Sequence, residues 1–194
     1  MNDLMRHRGE FARAIANQKF EISPEGLFFP GQQALVAGVF DVEHRRGGDL
    51  IGRDLSPNLV TTEGLNSILS VVLAGGAQIN PWYLAVFEGN YTPVAGLTAA
   101  TFTAAATECT AYAEAARVAY VEAAPSGGVI TNAASRAEFT FNATKTIYGA
   151  ALVSVSTKSS TSGVLLAAAR FSAARAVVNG DVLAVAYSLT LTSS

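Results

Sequence analysis

The sequence predicts a mainly β protein, an antiparallel β-sandwich for which a jelly roll is one arrangement, with an N-terminal arm, a β-hairpin and one α-helix. Three observations predict it. Several short segments alternate apolar and polar residues, which is the period of a half-buried strand. Turn-forming Gly, Asn and Pro residues separate these segments. Apolar residues make up 50% of the 194 residues, so the chain can bury a core.

The predicted organisation has three parts: an N-terminal arm (1–34), a hairpin plus helix (35–76) and a β-sandwich domain (77–194). In the arm, an apolar residue recurs at spacings of seven and four, which places all three on one helix face. These residues are Leu4, Phe11 and Ile15. We expect an amphipathic helix or a segment that orders on a partner. The first ten residues contain no apolar stretch, so no signal peptide is predicted.

The hairpin is predicted from residues 35–44, which begin as an apolar run and end in alternation. Phe40 and Val42 share one face, and Asp41 lies on the other. The two glycines of Arg45-Arg46-Gly47-Gly48 tolerate the positive φ that a tight turn requires. Residues 49–54 are the expected return strand.

The helix is predicted to begin at Thr61 or Thr62, either of which can cap it, with Glu63 favourably placed in the first turn. Gly75-Gly76 ends it. Apolar residues follow at i, i+3, i+4 and i+7, which predicts one buried stripe. The stripe consists of Leu65, Ile68, Leu69 and Val72.

The strands that follow are predicted from aromatic content and alternation. Residues 82–88 have two apolar faces, as in a buried central strand. Residues 94–116 are rich in Ala and Thr and are expected to be a long surface loop that contacts a neighbour. The remaining strands are predicted at 117–122, 137–142, 146–157, 164–171 and 181–191.

The sequence offers little for catalysis, and no cofactor is predicted. A nucleophile–histidine pair would need His7 or His44, the two histidines. His44 is expected at a solvated hairpin tip, and a metal role with Asp41 and Glu43 is disfavoured. Cys109 has no basic neighbour to lower its pKa, which indicates a structural thiol. We therefore expect a protein that is not an enzyme.

Two other kinds of site remain open at the level of sequence. A carboxylate pair for glycoside hydrolysis could form from scattered acids, and an exposed aromatic platform could bind sugar. The acids are Glu88, Glu108, Glu114, Glu122 and Glu138, and the platform would use Trp82, Tyr83 or Tyr91.

The distribution of charge indicates an assembly component. Residues 1–63 carry 7 of the 13 Lys and Arg and 9 of the 15 Asp and Glu, which leaves the other two thirds poor in charge. Soluble monomers usually have about 25% charged residues, so much of this surface is expected to be buried against protein. No basic block is present, which disfavours nucleic acid as a partner. The sequence contains no uninterrupted run of about 18 apolar residues, so no transmembrane helix is predicted.

Three segments resemble a group of tailed-bacteriophage virion proteins. In that pattern a short charged hairpin, here 40–48, precedes a helix start of the form N-L-V-x-x-E-G-L-N, here 58–66. A strand, here 82–87, and an Ala/Thr-rich β region follow. The likeness covers residues 38–92. It implies a capsid decoration (cement) protein, or a tail or neck component, and it carries over no active-site residues.

Taken together, these observations predict a non-enzymatic structural protein of the virion, assembled in the host cytoplasm, that binds and stabilises the assembled shell. Its expected partners are the major capsid protein or other virion proteins, and it is expected to form a trimer or dimer. The alternatives are a tail, neck or fibre-base protein and a carbohydrate-binding module. The predicted partner-binding residues are Arg6, Arg8, Phe11, Arg13, Arg45 and Arg46.

Overall fold

The computed structural model describes residues 20–22, 28–30 and 34–193. Strands make up 48% of these residues and helices 12%. The sheets are antiparallel and do not close into a barrel. The predicted fold class, a mainly β, sandwich-like protein, is therefore confirmed.

The described elements are two helices and twelve strands. The helices are α1 (Thr62–Leu73) and α2 (Ala99–Ala105). The strands are β1 (Phe20–Ile22), β2 (Phe28–Pro30), β3 (Ala34–Arg46), β4 (Asp49–Pro57), β5 (Leu59–Val60), β6 (Trp82–Phe87), β7 (Val118–Tyr120), β8 (Val129–Thr131), β9 (Ala137–Thr140), β10 (Lys145–Val153), β11 (Leu165–Val177) and β12 (Val182–Ser193).

Residues Val36–Thr190 form one compact unit, built on two five-stranded sheets. The first sheet has the order β5-β11-β10-β6-β7, and the second has β4-β3-β12-β8 with β9 also pairing with β12. Apolar side chains from both sheets form the main core, for example Phe40, Leu84 and Tyr187. A second core joins the first sheet to α2, where the rings of Phe87 and Phe102 meet edge to face at 6.1 Å. Separately, β1 and β2 pair with each other in antiparallel register.

The predicted hairpin is present as β3 and β4, joined by Gly47 and Gly48 with φ of 58° and 94°. Both hairpin strands belong to the second sheet, in which β3 is the neighbour of β12, while β5 pairs with β11 in the first sheet. The residues between 35 and 76, expected as a separate part, therefore contribute three strands to the sandwich.

Hydrogen bonds of Thr61, Glu63 and Gly64 fix the start of α1. The Thr61 hydroxyl donates to the Leu165 carbonyl at 2.5 Å and accepts from the Gly64 N–H at 2.9 Å, so the predicted N-cap is confirmed. The Glu63 carboxylate accepts from the backbone N–H groups of Ala99 and Leu165, at 2.8 and 2.7 Å. One side chain thus links α1 both to α2 and to β11.

The expectation of a long surface loop at residues 94–116 is wrong. This segment contains α2, and the described part of the chain therefore has a second helix that the sequence did not predict. The Thr98 N–H donates to the Thr101 hydroxyl in the first turn of α2. Leu97, Phe102 and Cys109 are buried, because their side chains fill the two cores.

We expect Gly64→Ala to lower the free energy of unfolding by about 1–3 kcal/mol. A Cβ at Gly64 would lie 2.8 Å from the Leu166 Cα and 2.9 Å from its carbonyl carbon, so α1 would have to move off β11. In an open helix the same change stabilises by about 0.5–1 kcal/mol. Urea unfolding followed by circular dichroism measures the difference.

The matched control is Gly96→Ala, because a Cβ there meets no atom within 4 Å. Its effect is expected to stay within about 0.5 kcal/mol. A Gly64→Ala protein as stable as the wild type would contradict the close packing of α1 on β11.

Candidate interaction surface

The hairpin tip is tied to the turn between β11 and β12 by a forked ion pair. The Arg46 guanidinium donates from Nε to Asp181 Oδ1 at 2.8 Å and from Nη2 to Oδ2 at 2.7 Å. The Val178 N–H also donates to the Asp181 carboxylate, at 2.9 Å. The hydrogen bonds from Arg46 are the main reason that the pKa of Asp181 lies well below its ordinary value. Since the Asp181 side chain is only 1% exposed, Arg46 neutralises a buried charge.

His44 is buried, and the expectation of a solvated hairpin tip is wrong for this residue. Its Nε2 lies 2.8 Å from Asp181 Oδ2, and the residue is only 5% exposed. The reason is strand alternation: His44 lies on the same face of β3 as Phe40 and Val42, and that face joins the core. Within the described residues, no group of three or more His, Cys, Asp or Glu could hold a metal ion.

Arg45 points to the other face of β3, where it joins a network of ion pairs. Its Nη2 donates to Glu43 Oε2 at 2.6 Å. Arg53 forms a forked pair with Asp41 at 2.9 and 2.7 Å, and Arg136 also donates to the same carboxylate. The hydrogen bond from Arg53 is the largest cause of the lowered pKa of Asp41.

Of the six residues predicted to bind a partner, Arg45 and Arg46 are therefore both paired with acids of their own chain. The structure brings these two together at one end of the hairpin, on opposite faces. The other four, Arg6, Arg8, Phe11 and Arg13, lie outside the described residues. Their predicted role stays a prediction.

A buried ion pair between Glu108 and Arg117 was not anticipated from the sequence. Arg117 donates from Nε and Nη2 to the two Glu108 carboxylate oxygens at 2.8 and 2.7 Å, and both side chains are 1% exposed. The Ser159 N–H completes the carboxylate shell, and the Val155 carbonyl accepts from Arg117. Every contact of this pair is within the fold, which indicates a structural role.

Nearby Cys109 is also buried, and burial raises the pKa of its thiol.

The apolar stripe of α1 is exposed, so the prediction that it is buried is wrong. Three of its four members are exposed, and together with the neighbouring Leu73 we call them the α1 face: Leu65 (39% exposed), Leu69 (54%), Val72 (70%) and Leu73 (78%). Gly64 is the buried residue of the helix and Ile68 is half-buried, because α1 rests on β11 along one side only. The remaining apolar side chains have no cover in the chain described here.

The chain beside the α1 face is free of charge. Residues 65–81 contain no Asp, Glu, Lys, Arg or His. They border a shallow groove of about 210 Å³, which we call the α1 groove. It is lined by Ser67, Ile68, Val71, Val72, Gln78, Ile79 and Trp82. An exposed surface that is both apolar and uncharged has the composition of the centre of a protein–protein interface.

The aromatic residues considered as a sugar-binding platform are partly used by the fold. Trp82 is half-buried and packs against the main core. Tyr83 and Tyr91 pack against the second core instead. The three rings therefore serve two different cores, which does not favour a shared platform.

No protein-family model matches this chain, and no curated protein is recognisably similar to it. Over the residues described, no helix has both the length and the apolar character needed to cross a membrane.

We expect Arg46→Ala to lower the urea midpoint of unfolding clearly more than Arg45→Ala. Removing Arg46 leaves the buried Asp181 carboxylate without its forked partner, whereas the acid that pairs with Arg45, Glu43, is 15% exposed and can be hydrated when Arg45 is removed. The two residues are neighbours of the same type, so each is the control for the other. Equal midpoints would contradict the structural role assigned to Arg46.

We expect the stability advantage of the wild type over Asp181→Asn to depend on pH. Because the pKa of Asp181 is lowered by folding from its ordinary 3.8, its carboxylate stabilises the fold above that value and loses this effect as pH falls through the folded pKa. The difference in free energy of unfolding should be constant near neutral pH and shrink below about pH 4. Urea titrations of both proteins between about pH 7 and 2.5 measure it. A difference that is unchanged over this range would contradict the assignment.

Proposed function

We propose that this chain is a non-enzymatic structural protein of a tailed-phage virion, which decorates the assembled shell and stabilises it. The observation that carries the proposal is the α1 face, a set of exposed apolar side chains inside a charge-free stretch of an otherwise well-packed unit. Such a face is costly to leave in water and is stabilised by protein contact.

The chemistry of the polar groups supports a structural role. Two described ion pairs whose carboxylates are only 1% exposed, Arg46–Asp181 and Arg117–Glu108, use both oxygens of each carboxylate. A catalytic acid or base needs a proton-transfer partner in substrate. These carboxylates instead have their hydrogen-bonding capacity filled by the fold.

The resemblance of residues 38–92 to phage virion proteins is the reason for proposing that the assembly is a phage particle. Its helix-start motif, 58–66, leads directly into the α1 face, so the same stretch of sequence carries the likeness and the exposed surface. A protein that binds only the assembled shell shifts the assembly equilibrium by mass action, and no chemical step is needed.

The ion pair between Arg46 and Asp181 makes the hairpin tip a less suitable candidate for partner binding than the α1 face. Since Arg46 is required by Asp181, reversing its charge would test folding and partner binding together. We therefore assign shell or subunit binding to the α1 face first, and leave Arg6, Arg8, Phe11 and Arg13 as candidate contacts of the N-terminal segment.

The copy number of this protein in purified particles tests the proposal. Quantitative mass spectrometry against the major capsid protein is expected to give about one copy per capsid subunit or a simple fraction of it, because decoration follows the lattice. A count of roughly a dozen or fewer would contradict decoration in favour of a tail or neck position. Absence from particles would overturn the virion proposal altogether.

A further inference from the structure

The spacing of the leucines on α1 makes its exposed face self-complementary. Leu65, Leu69 and Leu73 are separated by four residues each, or about 6 Å along the helix axis. Leu69 is therefore the midpoint between the other two. If a second α1 lies antiparallel across the first with the two Leu69 side chains in contact, each Leu65 meets the Leu73 of the other copy.

The lack of charge restricts what can cover this face. Residues 65–81 offer no ionised side chain, so a charged partner surface would lose its hydration here without gaining an ion pair. Glu63, the acid nearest to the face in sequence, already accepts from Ala99 and Leu165. An identical α1 face is apolar and uncharged, and it places no charge against its copy.

The α1 groove fits a side chain better than a small molecule. Its volume of about 210 Å³ is below the roughly 300–1,000 Å³ of ordinary ligand pockets. Its lining is mostly apolar, and Val72 belongs both to the groove and to the α1 face. A groove beside an apolar helix ridge is the arrangement into which a facing helix inserts its own side chains.

We propose that the α1 face binds a second copy of this chain, through a two-fold contact in which the two α1 helices pack antiparallel with Leu69 at the axis. The contact is isologous, with the same residues used on both sides. The α1 groove of each copy receives apolar side chains of the other. This inference deepens the proposed function. It rests on that function in one respect, the assumption that another protein covers the α1 face when the protein is assembled.

A charge-swap experiment at Leu69 tests the two-fold contact. In Leu69→Lys and in Leu69→Glu, like charges meet at the axis, and sedimentation equilibrium of the full chain is expected to show self-association weakened at least about tenfold in each. Because Leu69 is 54% exposed, both variants are expected to fold. An equal mixture of the two is expected to restore the dimer, since Lys then faces Glu.

The matched controls are Leu55→Lys and Leu55→Glu. Leu55 is the same residue type with similar exposure, 59%, on the hairpin, and these variants are expected to dimerise like the wild type. A monomeric wild type, or a mixture of Leu69 variants that stays monomeric, would overturn the inference. So would a loss of dimer in the Leu55 variants with none in the Leu69 variants.

Disulfide trapping provides a second measurement that does not depend on weakening the contact. Cys109 is the only cysteine of the chain and is 1% exposed, so it does not compete with an introduced thiol. Under mild oxidation Leu69→Cys is expected to form a covalent dimer, and Leu55→Cys is not. Failure of Leu69→Cys to cross-link would contradict the contact, while normal copy number in particles would leave the proposed function intact.

Discussion

The structure depends on one short joint, residues Asn58–Gly64, at which both sheets and both described helices meet. The Asn58 N–H donates to Gly38 in β3 and its side chain donates to the Tyr187 hydroxyl, which fixes the second sheet. β5 pairs with β11 in the first sheet, and the Glu63 carboxylate then links α1, α2 and β11. The bare backbone at Gly64 allows α1 to lie directly on Leu166. A shift of one residue anywhere in this joint would break several of these contacts at once.

The joint also gives a physical reason for the motif that carries the phage resemblance. Asn58, Thr61 and Glu63 form hydrogen bonds to other strands or helices, and Gly64 lets α1 pack closely on β11. The motif thus specifies a way of connecting a sandwich to a helix. The α1 face follows the joint directly, where the helix leaves the cover of the sheets and presents leucines to solvent. The contacts that stabilise the unit and the surface that we propose for association therefore come from adjacent residues of one segment.

The sequence predicted the positions of helices and strands better than it predicted which of their faces are covered and which side chains pair. Alternation located β3, β7 and β9, aromatic content located β6, turn residues separated β10, β11 and β12, and the cap residues located the start of α1, because these signals are local. The periodicity of α1 identified residues that share a face, but periodicity does not say whether another element covers that face. The absence of charge from residues 65–81 was a sequence feature that set this stretch apart from an ordinary solvated surface, but it did not show whether the stretch is buried or exposed. Glu108–Arg117 and His44–Asp181 could not be predicted, since each pairing is set by tertiary packing and not by any regular spacing.

The long sequence separation of the contacts made by the joint and by the hairpin has a consequence for synthesis. Thr61 bonds to Leu165, 104 residues later, and His44 bonds to Asp181, 137 residues later. Contacts this distant form slowly, because the intervening chain must be ordered first. During translation, the hairpin and α1 leave the ribosome long before β11 and β12 exist to receive them. The nascent protein therefore passes through a period in which the α1 leucines are exposed without a folded unit behind them, and exposed apolar surface of this kind favours aggregation.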